Sequence, residues 1–378
     1  MNFVVSSTAL LNHLQSISKV ISSKNTLPIL DNVLFDLQGN QLVMTASDLE
    51  TTVITRMDLE NAKGDGTIAL DAKRLMSTLR ETPEQPLSFN IDVDSLAIEI
   101  STERAKFNMM GMNGIDFPVL PNLDETKTAK VQLKAEALLN GITKTIFAAA
   151  NDELRPVMNG VFFQVQDGKL TMVASDSHKL VRFVRSNIPS NITSTFIMPQ
   201  KPASLLKNIL PKNDSESIVE LEFDDKNAYF EISGFKLVCR LVEGRYPSFD
   251  AVIPQNNPNK VQIDRVEWLN ALRRVSVYSN PASNLVKLEI GANEIVISAQ
   301  DIDFSISATE RINCVFDGDA LEIGFKSLFL IEILNNINSS DVVLEMSDPS
   351  RAGLVLPAEK DNPDEDVLML IMPMMIHS

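Results

Sequence analysis

The sequence predicts an α+β fold built from three tandem domains, and three observations support this prediction. One segment occurs three times, starting at Ser7, Ala135 and Arg265, with the sequences STALLNHLQSISKV, AEALLNGITKTIFA and RVEWLNALRRVSVY. Its Leu-Asn pair returns after intervals of 128 and 130 residues, so each repeat is long enough to enclose a core of its own. The 378 residues of the chain also fit three domains of ordinary size.

Each repeat contains two units of a short strand followed by an amphipathic helix. In the first repeat the strand NFVV precedes a helix in which Leu10, Leu14 and Ile17 form one apolar stripe. The strand TIAL then precedes a second helix, and equivalent pairs follow in the other two repeats. The predicted helices cover residues 8–24, 71–81, 134–147, 199–212, 265–274 and 322–336.

Between the helices, apolar residues alternate with polar ones on both sides of Gly, Asn and Asp clusters. This pattern predicts antiparallel hairpins, because two alternating strands joined by such turn residues fold back on each other. The hairpins are predicted over 33–45, 161–173 and 286–298. Pro- and Asn-rich segments that start at Asp116 and Arg245 lead into new strands and predict the linkers. The predicted domains are 1–125, 126–254 and 255–378.

Charge is distributed unevenly between the helices and the remainder of the chain. The net charge is −16, which would repel nucleic acid if it were spread evenly. The six predicted helices nevertheless carry a net charge of +8, which leaves −24 on all other residues. The asymmetry suggests helices that face a polyanion such as duplex DNA, with sequence-independent contacts to phosphate; the alternative is that these cations are only solvated. The candidate DNA contacts are Lys73, Arg74, Arg80, Lys201, Lys207 and Arg273.

Motifs for catalysis, cofactors and metals are absent from the sequence. It has no glycine-rich nucleotide-binding motif, no His-Glu-x-x-His and no Gly-x-Ser-x-Gly, and Cys239 and Cys314 are far apart. Ser177 and His178 are adjacent, and on an extended strand they would point to opposite faces, so they are not expected to form a catalytic pair. We expect no enzymatic activity, no cofactor and no metal site.

The N-terminus and the C-terminal segment give no sign of membrane insertion. No basic segment precedes an apolar run at the N-terminus, and the most apolar stretch, Val367 to Ile376, is too short to cross a bilayer. We therefore expect a cytoplasmic protein without membrane contact. The same stretch, VLMLIMPMMI, is rich in methionine, which suits a last core strand as well as an irregular binding groove.

The repeats, the basic helices and the missing catalytic motifs resemble the bacterial sliding clamp family, the beta subunit of DNA polymerase III. Seven landmarks occur in that family's order across essentially the whole chain. They are TLPILDNVLF (26–35), ASDLE (46–50), RPVMNGVFFQ (155–164), ASDSHKLV (174–181), LVEGRYPSFDAVIP (241–254), EIGFKSLFLIEIL (322–334) and MPM (372–374).

The resemblance implies a head-to-tail homodimer that closes a six-domain ring around duplex DNA. It also implies that DNA polymerase III subunits, the clamp loader, other polymerases and repair proteins insert a short apolar peptide into one pocket. The implied pocket residues are Met158, Ser175, Ser177, His178, Lys179, Leu180, Pro247, Val252, Phe329, Ser350, Leu370, Met372, Pro373 and Met374. A rival interpretation is a tandem-repeat protein scaffold that does not encircle DNA, for which the negative net charge is the main support.

The resemblance further implies DNA contacts at Lys24 and in the loop with Asp152, Arg155, Pro156 and Val157. The implied dimer interface places Phe107 and Met109 against Val277 and Tyr278, with Arg104 and Lys106 near Asp301 and Asp303. The C-terminus departs from the family pattern of Met-Pro-Met-Arg-Leu, because Met375 and Ile376 replace the last two residues and His377 and Ser378 extend the chain.

Overall fold

The structure is a computed structural model that describes residues 1–190, 192–212, 214 and 216–376. The terminal extension, His377 and Ser378, lies outside the described residues. The chain divides into two compact units. Unit 1 comprises residues 1–139 and 201–241, and unit 2 comprises residues 140–200 and 242–378.

All six predicted helices are confirmed in the described part of the chain; five are shorter than predicted, and the fifth along the chain ends two residues later than predicted. They are α1 (Ser7–Ile17), α2 (Ala72–Arg80), α3 (Ala135–Thr145), α4 (Gln200–Ile209), α5 (Arg265–Ser276) and α6 (Ser327–Asn335). The last prediction was too long at its start, because residues 322–326 belong to a strand. With the observed bounds the helices carry nine Lys or Arg and three Glu, so their surplus is +6 and not +8.

Each repeat contains at least eight strands among the described residues. The first contains β1 (Asn2–Ser6), β2 (Asn32–Gln38), β3 (Gln41–Ser47), β4 (Thr51–Asp58), β5 (Ala62–Lys63), β6 (Gly66–Asp71), β7 (Pro86–Asp92), β8 (Ala97–Ser101), β9 (Lys106–Met110) and β10 (Met112–Asn113). The second contains β11 (Ala129–Lys134), β12 (Gly160–Gln166), β13 (Lys169–Ser175), β14 (Lys179–Arg185), β15 (Ser194–Pro199), β16 (Ile218–Phe223), β17 (Asn227–Ile232) and β18 (Phe235–Arg240). The third contains β19 (Asn259–Asp264), β20 (Leu285–Ile290), β21 (Glu294–Asp301), β22 (Ile306–Asn313), β23 (Val315–Phe316), β24 (Leu321–Lys326), β25 (Asp341–Met346), β26 (Gly353–Pro357) and β27 (Glu365–Ile371).

Within the described residues the strands form antiparallel sheets, two in each unit. Unit 1 has a five-stranded sheet in the order β5-β1-β7-β8-β9 and a nine-stranded sheet in the order β10-β6-β2-β3-β4-β18-β17-β16-β11. Unit 2 has a nine-stranded sheet in the order β15-β12-β13-β14-β27-β26-β25-β19-β23 and a four-stranded sheet in the order β22-β21-β20-β24. The three predicted hairpins are confirmed as β2-β3, β12-β13 and β20-β21.

Each nine-stranded sheet joins strands of two successive repeats. In unit 1 the junction is the pair β4·β18, where Thr52 lies opposite Val238. In unit 2 it is the pair β14·β27, where Leu180 lies opposite Leu370. The two remaining sheets have five and four strands, and β9 and β22 are their terminal strands.

Local sequence explains where the helices begin and which face they bury. The Ser6 hydroxyl accepts a hydrogen bond from the Ala9 amide at the start of α1, and Asp264 accepts one from the Glu267 amide at the start of α5. The apolar stripe of α1, with Leu10 and Leu14, is fully buried. In unit 1 this helix packs beside α2, and in unit 2 α5 packs beside α6.

One glycine is required by a close approach between β12 and β15. A Cβ atom at Gly160 would lie 2.3 Å from the carbonyl oxygen of Met198, a main-chain atom that cannot move aside without disturbing the sheet. We expect Gly160→Ala to lower the free energy of unfolding by about 2 kcal/mol, measured by urea denaturation. Gly291→Ala is the matched control, because the nearest atom there is 3.7 Å away. An equal, small effect of both substitutions would contradict the expectation.

Candidate functional site

A cluster of buried apolar side chains in unit 2 lies beside the junction of β14 and β27, and the surface above this cluster is called the apolar cleft. Leu180 and Leu370 are opposite each other across this junction, and both belong to one cluster of buried side chains. The rings of Phe162 and Tyr246 stack there with centroids 5.0 Å apart. The buried members of the cluster are Val173, Leu180, Ile197, Tyr246, Ile253, Ala352, Leu354, Leu368 and Leu370, with Val157, Phe162, Val242, Phe249 and Leu356 packed against them.

The turn between β13 and β14 forms one rim of the cleft. The Asp176 carboxylate accepts hydrogen bonds from the amides of His178, at 2.9 Å, and Lys179, at 2.8 Å. Ser177 has a φ of +77°, in the left-handed region. The expectation that Ser177 and His178 lie on an extended strand is therefore wrong, since both belong to a tight turn.

The same turn occurs in the first repeat, where the sequence is similar. Asp48 accepts hydrogen bonds from the amides of Glu50, at 3.1 Å, and Thr51, at 2.7 Å, and Leu49 has a φ of +79°. The recurring Ser-Asp pair thus specifies the shape of a turn in both units. The side chains that follow the aspartate then decide what each turn presents.

Lys179 and Phe329 connect this turn to helix α6. Lys179 is buried, with 5% of its surface exposed, and its ammonium group forms ion pairs with Glu332 and, at 3.4 Å, with Asp176. The same ammonium lies 4.5 Å from the centroid of the Phe329 ring, a distance at which a cation is attracted to an aromatic face. The His178 ring stacks on Phe329 with centroids 5.9 Å apart. These contacts fix the rim to the helix.

The methionine-rich C-terminal segment is held by its main chain. The Met372 amide donates to the His178 carbonyl and the Met374 amide to the Gly324 carbonyl, each at 2.8 Å. A Cβ atom at Gly324 would lie 2.8 Å from the Met374 carbonyl, so the glycine admits the segment. The segment therefore combines both earlier interpretations, because β27 is a core strand while the residues after it line a surface and leave Met372 38% exposed.

The remaining predicted pocket residues also lie in unit 2. Met158 is buried with its sulfur 3.9 Å from the Ser177 hydroxyl, while Pro247, Val252 and Ser350 are exposed. Sequence reasoning missed most of the buried floor, above all Tyr246 and Phe162. Burial raises the pKa of the Tyr246 hydroxyl. The landmark LVEGRYPSFD contained Tyr246, but nothing in its spacing showed that the ring would stack on a strand far away in sequence.

The loop before β12 forms hydrogen bonds at the rim of the cleft through Arg155. Arg155 donates to the Asp152 carboxylate at 2.8 Å and to the Ser177 hydroxyl at 2.5 Å. The side-chain hydrogen bond from Arg155 is the main reason that the pKa of Asp152 is lowered. Pro156 is exposed and Val157 packs on the apolar cluster. The Arg155 guanidinium therefore has two partners within the chain, and its contact with DNA stays a prediction.

A polar, basic groove in unit 1 runs between α1, α2 and α4. It has a volume of about 480 Å³ and contains two cations, Lys19 and Arg80, with no carboxylate among the described residues that line it. Neither cation forms an ion pair within the part of the chain that the structure describes. The lining residues are Asn12, Gln15, Ser16, Ser18, Lys19, Arg80 and Asn208. Amides, hydroxyls and free cations of this kind suit loose contacts with phosphate.

The other residues predicted to contact DNA differ in their solvent exposure and in their partners within the chain. Among the described residues Lys24, Lys73 and Arg74 are exposed and Lys207 is partly exposed, all without an ion pair. Lys201 is different, because its ammonium bonds to the Asp48 carboxylate and, at 2.8 Å, to the Val20 carbonyl. The contact of Lys201 with DNA stays a prediction. Arg273 is exposed and donates to the Asn335 side chain at 2.9 Å.

The predicted interface residues lie on or beside the two terminal strands. Phe107 and Met109 are partly exposed on β9, and Val277 and Tyr278 are exposed after α5. Arg104 is exposed in the turn before β9.

Two residues of the predicted charge pairs at this interface, Lys106 and Asp301, have polar partners within the chain. Lys106 pairs with Glu99 of the neighbouring strand at 3.2 Å. Asp301 has only 2% of its surface exposed and accepts hydrogen bonds from Asn280 and from the Asp303 amide. Asp303 is therefore the carboxylate at this turn that is exposed to solvent.

No group of three or more His, Cys, Asp or Glu side chains in the described part of the chain could hold a metal ion. Nor does any helix formed by the described residues have the length and apolar character needed to span a membrane.

Three α+β domains in tandem, with antiparallel sheets that continue from one repeat to the next, define the DNA-clamp class of fold. The family models of the DNA polymerase III beta subunit match the chain with their N-terminal domain at 1–121, their central domain at 132–248 and their C-terminal domain at 250–375. The chain belongs to the DNA polymerase III beta subunit family.

Similar proteins cover the whole chain. The beta sliding clamp of Vibrio cholerae is 28% identical, with 99% of each chain covered, and that of Pseudomonas putida is 29% identical, with 99% of this chain and 100% of the relative covered. A solved sliding clamp from Pseudomonas aeruginosa, bound to griselimycin, has a TM-score of 0.93 at 28% identity and full coverage of both chains. The corresponding structure from Bartonella birtlesii has a TM-score of 0.91 at 28% identity, also with full coverage.

Proposed function

We propose that this protein is a DNA sliding clamp, in which two copies join head to tail and encircle duplex DNA. The observation that carries this proposal is the pair of incomplete sheets. A five-stranded sheet ends at β9 and a four-stranded sheet ends at β22, whereas the other two sheets have nine strands. Pairing β22 of one copy with β9 of its partner would form a third nine-stranded sheet, equivalent to the junctions β4·β18 and β14·β27.

The hydrogen-bonding pattern of the two strands supports this pairing. The Gly111 amide bonds to Leu96, and the Cys314 amide bonds to Asn293. Because hydrogen-bonding direction alternates along an antiparallel strand, Asn108 on β9 and Thr309 on β22 direct their main-chain groups away from their own sheets. Exposed strand edges with apolar side chains favour pairing with another chain. Because β9 and β22 are different surfaces, this contact between copies would be heterologous. Two such contacts between two copies would close a ring.

The helices supply the surface for DNA in this proposal. Phosphate contacts from Lys19, Lys73, Arg74 and Arg80 would be individually weak and independent of base sequence, which suits a ring that must move along the duplex. A topological link holds the DNA, so a strong grip is unnecessary. The scaffold alternative is less well supported, because it gives no reason for a carboxylate-free basic groove on an acidic chain.

Neutralising the basic groove should weaken DNA binding and reduce its salt dependence. For Lys19→Gln with Arg80→Gln, we expect the slope of log K against log salt to fall by about 0.9 for each lost phosphate contact. The measurement is fluorescence anisotropy of a short duplex over a salt series. Lys63→Gln with Lys169→Gln is the matched control, since it removes the same charge from strands. An unchanged slope in the groove variant would argue against this surface as the DNA contact.

The apolar cleft of unit 2 is the proposed docking site for partners. Its buried floor, the Phe329 ring that stacks on His178 at the rim, and the exposed Met372 suit an extended peptide with apolar anchors. Polymerase III subunits, the clamp loader, other polymerases and repair proteins would compete for it.

Three further elements of the proposal rest on family membership and on the sequence. The clamp has no catalytic activity of its own, it acts in the cytoplasm, and it consists of domains at 1–125, 126–254 and 255–378. Its activity is to tether other proteins to DNA, so that a bound polymerase copies processively.

A further inference from the structure

Unit 1 contains a second cleft. This cleft differs from the basic groove because its charged residues are acidic and because it follows the edge of a strand. Its volume is about 530 Å³. It lies between β1, the end of β4 with the turn that follows, and the segment before β7. Its lining residues are Val4, Val5, Ser6, Ala9, Met57, Asp58, Leu59, Glu60, Asn61, Glu84, Gln85 and Pro86. This surface is called the β1 cleft below.

One edge of β1 is open within the β1 cleft. The strand pairs with β7 along its whole length, but on its other side β5 pairs only with Asn2 and Phe3. Main-chain hydrogen bonds join Met1 to Ile91 in both directions. By the alternation of antiparallel pairing, Phe3 and Val5 also bond to β7, so the amide and carbonyl of Val4 and the amide of Ser6 point towards the cleft. The Ser6 carbonyl belongs to the first turn of α1, because Ser6 is the N-cap of that helix.

The cleft combines this open edge with apolar surface. Val4 is 41% exposed, while Val5 and Leu59, which also line the cleft, are buried. An added strand would place one side chain beside Val4, and cross-strand contacts of this kind stabilise a sheet. The strand β5 already shows that an extended segment fits along this edge of β1.

The charges around the β1 cleft have one sign. Asp58, Glu60 and Glu84 are exposed, and none of them forms an ion pair with another described residue. The Asp58 carboxylate accepts one hydrogen bond from the Gln41 amide group at 3.0 Å. No Lys or Arg is among the residues that line the cleft in the described part of the chain. An occupant that carries cations would complement this rim.

We propose that the β1 cleft binds an extended basic segment of a partner protein, which adds to the free edge of β1 as a strand. The main chain of the segment bonds to Val4 and Ser6, an aliphatic side chain packs on Val4, and flanking Lys or Arg side chains meet Glu60 and Glu84. The site shares no residue with the apolar cleft of unit 2. A clamp could therefore hold a partner at this site while the apolar cleft is occupied.

The test uses the full-length protein and a fluorescein-labelled pentapeptide of alternating lysine and valine, measured by fluorescence polarisation. A matched probe carries N-methyl groups on its three central amides, so it keeps its charge but cannot pair as a strand. We expect the methylated probe to bind at least about tenfold more weakly. Equal binding of both probes, or no binding of either, would overturn the proposal.

Two further measurements locate the site. Glu60→Gln with Glu84→Gln should weaken binding of the unmethylated probe about fivefold, whereas Glu125→Gln with Glu216→Gln, which removes the same charge elsewhere in unit 1, should leave it unchanged. Hydrogen exchange should slow at the Val4 and Ser6 amides on probe binding and stay constant at Phe3 and Val5. Equal weakening in both double variants, or unaltered exchange at Val4 and Ser6, would contradict strand addition at β1.

Discussion

Replacing Asn108 with proline is expected to convert the dimer into monomers. The Asn108 amide lies on the open edge of β9, so proline removes a hydrogen bond to the partner while the bonds to β8 remain. We expect the dissociation constant of the dimer to rise at least about a hundredfold, measured by analytical ultracentrifugation. Thr309→Pro on the partner strand β22 should have the same effect.

The controls separate dimerisation from folding. Asn108→Ala and Thr309→Ala keep the main-chain amide and should remain dimeric. Each proline variant should keep the circular dichroism spectrum of the parent protein, because β9 and β22 are terminal strands of their sheets. A folded Asn108→Pro protein that dimerises as tightly as the Asn108→Ala protein would argue against the β9·β22 junction.

Removing the methionine side chains at the apolar cleft should abolish partner binding and leave the fold intact. The chain is held there by the Met372 and Met374 amides, so Met372→Ala with Met374→Ala keeps the segment in place and removes only its apolar surface. We expect the affinity for a labelled peptide from the organism's polymerase III to fall about a hundredfold. The measurement is fluorescence polarisation, together with ultracentrifugation to show that the dimer persists.

Met375→Ala provides the matched control for this cleft. Met375 lies one residue beyond the main-chain bond of Met374 and is 84% exposed, so its side chain contributes little to the cleft. The Met375→Ala variant should bind the peptide with the affinity of the parent protein. Undiminished binding in the double variant would mean that these two side chains are not part of the docking site.

The fold was largely predictable because its determinants are local and repeated. The stripe of Leu10 and Leu14 and the turn residues Asp167 and Gly168 each specify an element within a few positions. Helix ends were harder, because α1 ends at Ile17 and continues as a 3₁₀ turn, while the apolar pattern runs on to Ile21. The apolar pattern continues past Ile17, but the main-chain hydrogen bonds change there from the α-helical to the 3₁₀ type.

The candidate sites were less predictable because their properties depend on contacts between distant segments. A sequence shows Lys201 as one more helical cation, yet its partner Asp48 lies in a turn of another repeat. Asp301 looks like a surface carboxylate, but Asn280 and the folded turn bury it. The floor of the apolar cleft likewise brings Phe162 and Tyr246 together from separate segments. Such pairings are set by the register of the sheets, which single-sequence patterns do not give.

The most direct test of the proposed ring is the retention of the loaded protein on circular and linear DNA. The clamp is loaded onto a nicked circular plasmid, and its dissociation is followed by gel filtration before and after a single restriction cut. A closed ring predicts stable retention on the circle and rapid loss from the linear ends, because only the topological link holds it. Equal retention on both forms would contradict encirclement and would favour a protein that binds DNA only by surface contacts.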